Sequence, residues 1–389
     1  LSALGVQVER NVELLTFTET GDCVTAVLRH VDGREESLAC TYLTACDGAH
    51  STTRHVLGLQ FQGDTLPSDW MLADIRVEGL ALQNELMIIW TPDGILAFFP
   101  IDESRVRIIA DVDPSAGPRA SAPTVDEVQQ LLDQRGPSGL RAHDPVWTSR
   151  FRINERKVGG YRHGRVFLCG DAAHIHSPAG GQGMNTGMQD AFNLAWKLAL
   201  VMQGRASPAL LDTYSAERSA VGDQVLRNAG VMTQVAILRN PVLRSIRNTV
   251  LGCLGRLPRL RQRMIDQLTE LDVHYPDSPL TLKTSQAARF PAPGQRAPDV
   301  VLDADEGPGA SLYGSLSAGK FVVLSVGGGS VDLPVGLQAI AMALEVDAAP
   351  GYQADHVYLI RPDAYIATSA RAGRVSEIMS LLGQIRPEH

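Results

Sequence analysis

Between Val6 and Ala45 apolar and polar residues alternate in short runs, at Val12 to Phe17, Cys23 to Leu28 and Tyr42 to Ala45, broken by Gly21-Asp22 and Asp32-Gly33. A period of two turns one face of each run toward a core, and the glycine pairs are turn signals, so the pattern predicts a small antiparallel meander. A second β-rich stretch runs through Trp70 to Val77, Glu85 to Trp90, Ile95 to Phe99 and Arg105 to Asp111, interrupted at Pro92-Asp93-Gly94 and Asp102-Glu103. It predicts four strands in one broad sheet.

From Thr124 to Gln134 the period changes. Thr124 followed by Glu127 is a capping box, and Val128, Leu131 and Leu132 share one helical face. Arg165 to Cys169 reads as a compact strand, and Gly183 to Met202 as an amphipathic helix whose apolar face is Met188, Ala191, Leu194, Ala195, Leu198 and Met202. Ser207-Pro208 suits the cap and first turn of another helix, which runs past Tyr214, and helical pattern continues to about Asp272. Tyr275 to Pro298 then carries five prolines and reads as a linker. Beyond it the pattern predicts strand Phe321 to Val326, helix Pro334 to Leu344, strand His356 to Ile360, the turn Arg361-Pro362-Asp363, strand Tyr365 to Thr368 and helix Arg374 to Ile385. That βαββα order suggests a thioredoxin-like module. It contains no cysteine, so it is not a dithiol redox centre.

Composition narrows the possible partners. The 389 residues are 44% hydrophobic and 20% charged, enough for two or three cores of ordinary globular protein. A formal net charge of −8 disfavours the basic surface that nucleic acid requires and favours a small-molecule partner. Apolar runs such as Phe321 to Val326 fall far short of the roughly 20 residues that cross a bilayer, so a membrane partner is not expected and a cytoplasmic location is. The five cysteines are odd in number and include no C-x-x-C pair, so they read as reduced thiols rather than a disulfide framework or zinc knuckle.

The chemistry concentrates in Gly164 to Arg205. Gly170 permits a close backbone approach at the end of the Arg165 to Cys169 strand, and Asp171 stands at the carboxyl end where α/β folds place ligand-binding groups. A carboxylate there suits sugar or ribityl hydroxyls. Pro178-Ala179-Gly180-Gly181-Gln182-Gly183 has no bulky side chain and leads into a helix, whose free N–H groups favour an anion or a polarised carbonyl. Glycines alone mark only a tight turn. Here an acid, a proline, several glycines, Met184 and Asn185 follow in fixed order. The string resembles the second FAD-binding motif of the class A flavoprotein monooxygenases, the family of para-hydroxybenzoate hydroxylase and the polyketide aromatic hydroxylases.

A second segment carries the same resemblance. Asp47-Gly48-Ala49-His50-Ser51-Thr52-Thr53-Arg54 follows the Tyr42 to Ala45 strand, and alone it is usually a turn. In that family a D-G-x-x-S-x-x-R segment stands at this point. The resemblance implies that Asp47, Gly48 and Arg54 help place FAD and admit the nicotinamide cofactor, and that Asp171 binds ribityl or pyrophosphate-side hydroxyls. It implies further that Pro178, Gly180, Gly181, Gly183, Met184 and Asn185 lie along the isoalloxazine. The reaction implied is reduction of FAD by NAD(P)H, addition of dioxygen to give a flavin C4a-hydroperoxide, and hydroxylation of an aromatic or polyketide phenol. Trp70, Trp90, Phe98 and Phe99 are candidates for the substrate wall, although most such aromatics are simply core. No side-chain general base is identifiable, and His174 and His176 lack the further ligands a metal needs.

These readings give a mixed α/β chain. Residues 1–66 and 146–275 are expected to form a partial FAD-binding domain with a helical extension, 67–145 a substrate-binding sheet, 276–298 a linker and 299–389 the thioredoxin-like unit resembling that of the phenol and polyketide hydroxylase branch. One departure stands out. The family opens on a strand, G-x-G-x-x-G and a helix for the pyrophosphate, and no G-x-G-x-x-G occurs here. The chain is therefore expected to be a truncated or processed product, with a homodimer or a separately supplied N-terminal segment as possible completions. A flavin-free binding protein, or one half of a two-chain assembly, is the alternative.

Overall fold

A computed structural model describes residues 1–80, 85–112, 122–177, 181–236, 238, 240–254, 256–284, 287–302 and 311–387. Strands β1 (Val12–Thr20), β2 (Cys23–His30) and β3 (Glu35–Cys40) form the expected antiparallel meander. The run at Tyr42 to Ala45 does not join it, which corrects the sequence reading. That run is β4 (Leu43–Ala45), and its partner lies more than a hundred residues downstream, where alternation along the chain carries no information.

After a short helix, α1 (Thr52–Val56), come the long strand β5 (Gln62–Glu78), β6 (Met87–Thr91), β7 (Gly94–Pro100) and β8 (Arg105–Val112). Helix α2 (Val125–Arg135) starts on the capping box: the Glu127 N–H donates to Thr124 Oγ1 at 3.3 Å, and the Thr124 N–H to the Glu127 carboxylate at 2.9 Å. Its Val128, Leu131 and Leu132 are buried against Met71, Ile75, Leu96, Phe98 and Ile108. Each such burial stabilises by about 1.5–3 kcal/mol. The next strand, β9 (Arg141–Lys157), had no counterpart in the sequence reading. It pairs antiparallel with β5 along most of its length and gives the sheet order β9-β5-β8-β7-β6.

The chain then forms β10 (Arg162–His163), β11 (Val166–Leu168) and β12 (His174–Ile175), separated from helix α3 (Gly183–Met202) by the glycine-rich turn. Strand β11 lies between β10 and β4 and runs parallel to β4; β12 joins the edge of β9. The bounds of α3 match expectation, but its expected apolar face is only partly turned inward: Leu194 is buried and Leu198 half-buried, whereas Ala191 and Ala195 are exposed. Met188, Phe192 and Met202 are exposed, while Thr186, Asp190, Asn193 and Lys197 are buried. Those four recur at helical spacing, and each has charged or hydroxyl-bearing partners inside the molecule.

Helices α4 (Asp212–Ala236), α5 (Pro241–Leu254) and α6 (Pro258–Leu268) follow. The proline-rich segment after Tyr275 is laced to the rest of the chain. Leu282 N–H donates to Ala367 O at 2.9 Å, Gly294 N–H to Ile366 O at 2.7 Å and Ala297 N–H to Ala364 O at 2.8 Å. Beyond it stand α7 (Leu312–Leu316), β13 (Phe321–Val326), β14 (Ala341–Val346), β15 (His356–Ile360), β16 (Ile366–Arg371) and α8 (Ser376–Ile385). The expected helix Pro334 to Leu344 is instead a 3-10 turn at Val335–Leu337 followed by β14. Ile340, Met342, Leu344 and Val346 alternate with smaller or charged residues. That period of two pairs β14 in parallel with β13, and Gly336 disfavours a helix.

This last unit is joined to the rest by a core and by charge. Trp196, Leu200 and Leu210 share an apolar cluster with Phe321, Leu359, Ile378 and Leu382. Beside it, Arg361 donates to both Glu217 oxygens at 2.6 and 2.9 Å and to Asp363, Lys197 donates to Glu217 at 2.7 Å, and Asn193 links Glu217 to Asp363. Two cations thus face two anions, all buried. Burial alone raises the Glu217 carboxyl, but Arg361 and Lys197 overcome it and hold the group far below the ordinary carboxylate range. Glu217→Ala leaves two buried cations facing the single carboxylate of Asp363, so it should lower unfolding free energy by about 3–5 kcal/mol. Urea unfolding of the two proteins measures this; a loss under about 1 kcal/mol would show that the cluster is not holding the unit in place.

Candidate functional site

The first motif begins where β4 ends. The Asp47 carboxylate accepts the Thr53 N–H at 2.9 Å, and Ser51 Oγ caps α1 by accepting the Arg54 N–H at 2.9 Å. Gly48 has φ +77°, a conformation that costs glycine little and other residues more. Arg54 is buried. One terminal nitrogen donates to Ala49 O at 2.7 Å, the other reaches Ala172 O at 3.3 Å, and the guanidinium carbon lies 3.8 Å from the centre of the Phe61 ring. The first motif is therefore fastened to the second through a side chain.

The second motif leaves β11 at Cys169. Gly170 has φ +55°, a conformation that favours glycine, and a Cβ built on it or on Gly187 would lie 3.5 or 3.3 Å from the other's Cα, so the turn packs directly against α3. The Asp190 carboxylate fixes this contact. One oxygen accepts the Gly170 N–H at 2.9 Å and a proton from His174 Nε2 at 2.8 Å, and the other accepts from Arg218 Nε at 2.6 Å. Burial raises the Asp190 carboxyl, and Arg218 and His174 together bring it below its ordinary value. Asp171, next to Gly170, is exposed.

Two clefts meet at Ile175. One, about 440 Å³, is lined by Asp171, Ile175, His176, Gly181, Gly183 and Met184. The other, about 360 Å³, is lined by His50, Arg54, Phe61, Asn154, Arg156 and Ile175. His176 Nδ1 lies 2.8 Å from Ser177 O, a carbonyl that only accepts, so the proton sits on Nδ1 and Nε2 keeps its lone pair. That Nε2 is buried and has no partner among the described residues. Burial, with His174 nearby, lowers the His176 pKa and keeps the ring neutral near pH 7. At the mouth of the same cleft α3 begins without a side-chain cap, because Gln182 Nε2 donates instead to Gln267 O at 2.6 Å. The cleft thus offers acceptors at Asp171 and His176 beside uncapped N–H donors at a helix start. Such a donor and acceptor set fits a polyol chain next to a ring with polarised carbonyls.

Of the expected cofactor residues, the structure brings Asp171, Gly181, Gly183 and Met184 to one cleft and Arg54 to the other. Asn185 lies half-buried in the first turn of α3, and Pro178 and Gly180 fall outside the described residues. Asp47 faces solvent, with one carboxylate oxygen committed to the start of α1. The four aromatics do not form one wall. Phe98 is fully buried in the α2 face of the sheet, because the pleat alternates and Leu96 and Phe98 point the same way. Trp70 packs with Ile95 and Ile153 on the opposite face, where half-exposed Trp90, paired with Ile95, carries the Arg247 guanidinium 4.5 Å from its ring centre. Phe99 follows Phe98 in β7 and so points to this second face as well. Helix α4 covers the continuation of that face, since Lys157 of β9 donates to Ser219 Oγ at 2.6 Å.

Sequence reasoning missed Asp190 and Arg218, which shape the turn without lining it. Both sit in helices, where a charge normally reads as a solvated face. The only hint was spacing: Thr186, Asp190, Asn193 and Lys197 form a polar stripe as regular as the apolar one. His174 is committed to Asp190, and among the described residues no three His, Cys, Asp or Glu side chains gather to hold a metal ion.

Comparison with known proteins adds the identity of the frame. A family model described as an FAD binding domain matches residues 1–229. The chain is 37% identical over 318 residues to 6-methylpretetramide 4-monooxygenase of Streptomyces rimosus, covering 79% of this chain and 56% of that one. It is 33% identical over 385 residues to anhydrotetracycline monooxygenase of the same organism, covering 94% and 73%. The solved structure of OxyS anhydrotetracycline hydroxylase from Streptomyces rimosus superposes on all of this chain and 78% of its own, with TM-score 0.81 and 30% identity. The chain accordingly spans between about half and four fifths of the proteins it matches. With the family model covering more than half its length and its two motifs held together at Arg54 and Ala172, the chain belongs to the FAD-binding-domain family of flavoprotein monooxygenases, and its cofactor is FAD.

Proposed function

We propose that the protein hydroxylates a polycyclic aromatic or polyketide phenol, with NAD(P)H as reductant and dioxygen as the source of the inserted oxygen. The observation that carries this reading is the convergence of the two motifs. Arg54 of the first donates to Ala172 of the second, and the clefts on either side share Ile175. FAD, when bound, supplies the redox chemistry, and the protein's part is to hold and orient it and exclude water. Asp171 and His176 Nε2 are the acceptors for ribityl hydroxyls, while the uncapped start of α3 at Gly183, Met184 and Asn185 stabilises negative charge on the ring edge. Pro178, Gly180 and Gly181 are further residues of the flavin site by their motif, and Asp47, Gly48 and Arg54 are those of the first motif. Trp70, Trp90 and Phe99, on the sheet face beneath α4 and α5, are the aromatic wall for the substrate. The names of two relatives, 6-methylpretetramide 4-monooxygenase and anhydrotetracycline monooxygenase, support a multi-ring phenol over a single ring.

The C-terminal unit is read as thioredoxin-like. Its strand order β14-β13-β15-β16, with one parallel and two antiparallel pairings, supports this. Its role is structural support, through Arg361. The domain division read from the sequence, residues 67–145 as the substrate sheet and 146–275 in the FAD-binding unit, is kept as a proposal with the sheet extended by β5 and β9 to residues 62 and 157.

Purified protein reconstituted with FAD should show a visible flavin spectrum and consume NAD(P)H faster when a polycyclic phenol is added, with one oxygen atom appearing in the product by mass spectrometry. A preparation that never takes up flavin would overturn the reading. Asp171→Ala removes a charged acceptor worth about 1.5–3 kcal/mol, so flavin affinity should fall roughly ten- to a hundredfold by fluorescence titration. Unchanged affinity would remove Asp171 from the site.

A further inference from the structure

Two cysteines that the flavin chemistry does not use stand side by side where β4 and β11 end. The strands are parallel with Ala45 opposite Leu168, the Cys169 N–H donates to Ala45 O at 2.9 Å, and Cys46 and Cys169 are the next residue on each. Neighbouring strands lie about 4.7–4.9 Å apart. That is within the roughly 4.4–6.8 Å between Cα atoms that a disulfide tolerates. The two thiols are unbridged. They are not equivalent. Cys46 is exposed, whereas Cys169 is buried with its sulfur 3.0 Å from the Tyr214 hydroxyl, whose own proton is donated to Leu168 O.

We propose that Cys46 and Cys169 form a thiol modification site at which a small organic disulfide is reduced and an intramolecular Cys46–Cys169 disulfide is left behind. The Cys46 thiolate attacks one sulfur of the small disulfide, whose S–S bond breaks; one thiolate leaves and takes up a proton. Cys169 then loses its proton and attacks Cys46 Sγ, breaking the mixed disulfide and releasing the second small thiol. Two protein thiols are oxidised, and one disulfide is reduced to two thiols. The exposed partner is the attacking one. The neighbouring Cys169 thiol draws Cys46 below the ordinary thiol range against burial and the carboxylates of Asp47 and Asp190, and the same neighbour together with burial pushes Cys169 up. Each cysteine immediately precedes one of the two motifs, so the bond ties the origin of Asp47-Gly48 to that of Gly170-Asp171. The inference does not depend on flavin.

The test uses oxidised glutathione as the small disulfide. Cys23 and Cys40 flank another strand pair and Cys253 is exposed, so the cleanest background carries Cys23→Ser, Cys40→Ser and Cys253→Ser. Both remaining thiols should disappear by thiol titration, intact mass should fall by two hydrogens with no glutathione retained, and peptide mapping should find Cys46 joined to Cys169. Dithiothreitol should restore both thiols. Adding Cys169→Ser should trap one glutathione on Cys46, whereas adding Cys46→Ser should leave Cys169 unmodified. A lasting glutathione adduct on Cys46 beside a free Cys169, or retention of both thiols, would overturn the proposal. Should the triple variant not fold, peptide mapping of the wild-type protein reads the same linkage.

Discussion

A carboxylate withdrawn from water is costly unless each oxygen finds donors, and Asp190 sits in the interior with three of them. One is the Gly170 N–H at the end of β11, one a histidine on β12 just after it and one an arginine from α4. A single buried anion thus draws three separate parts of the chain to one point and sets the path of the turn leading to Asp171. On α3 the inward side is shared by Thr186, Asp190, Asn193 and Lys197 with Leu194, Trp196 and Leu200, and Met188 and Phe192 are left outside.

Elements whose signals are local were legible in the sequence. The Thr124 and Glu127 pair announced α2, and both reciprocal hydrogen bonds are present. The alternating runs at Trp70, Ile95 and Arg105 announced three strands of the large sheet, and the order acid, glycines and Asn185 announced a strand, loop and helix. What failed was non-local or ambiguous. Strand β9 carries Asp144-Pro145 and a dense run of charged and polar residues, which hides its period of two. Ala341 to Val346 is short and apolar enough to suit either period, and only the neighbouring β13 decides between them. The partner of β4 could not be found by reading alternation, because a parallel partner comes from a crossover and not from a hairpin.

The site was legible as types of residue more than as an arrangement. Asp171, Gly183 and Met184 reach one cleft as their motif implies, whereas Asp47 faces solvent with an oxygen on the start of α1, and Phe98 lies in the core. Aromatic residues in strands are divided between two faces by the pleat, so composition could supply four candidates but not decide which share a face. The orphaned nitrogen of His176 could not be read from sequence at all, since it depends on the ring's other nitrogen meeting Ser177 O.

Glu217 and Arg218 are consecutive in α4 and face different ways. The first is clasped by Arg361 from the C-terminal unit, and the second reaches Asp190 beneath the glycine turn. One peptide bond therefore separates the anchorage of the C-terminal unit from the scaffolding of the turn at Gly170, so one turn of α4 carries the loads of both.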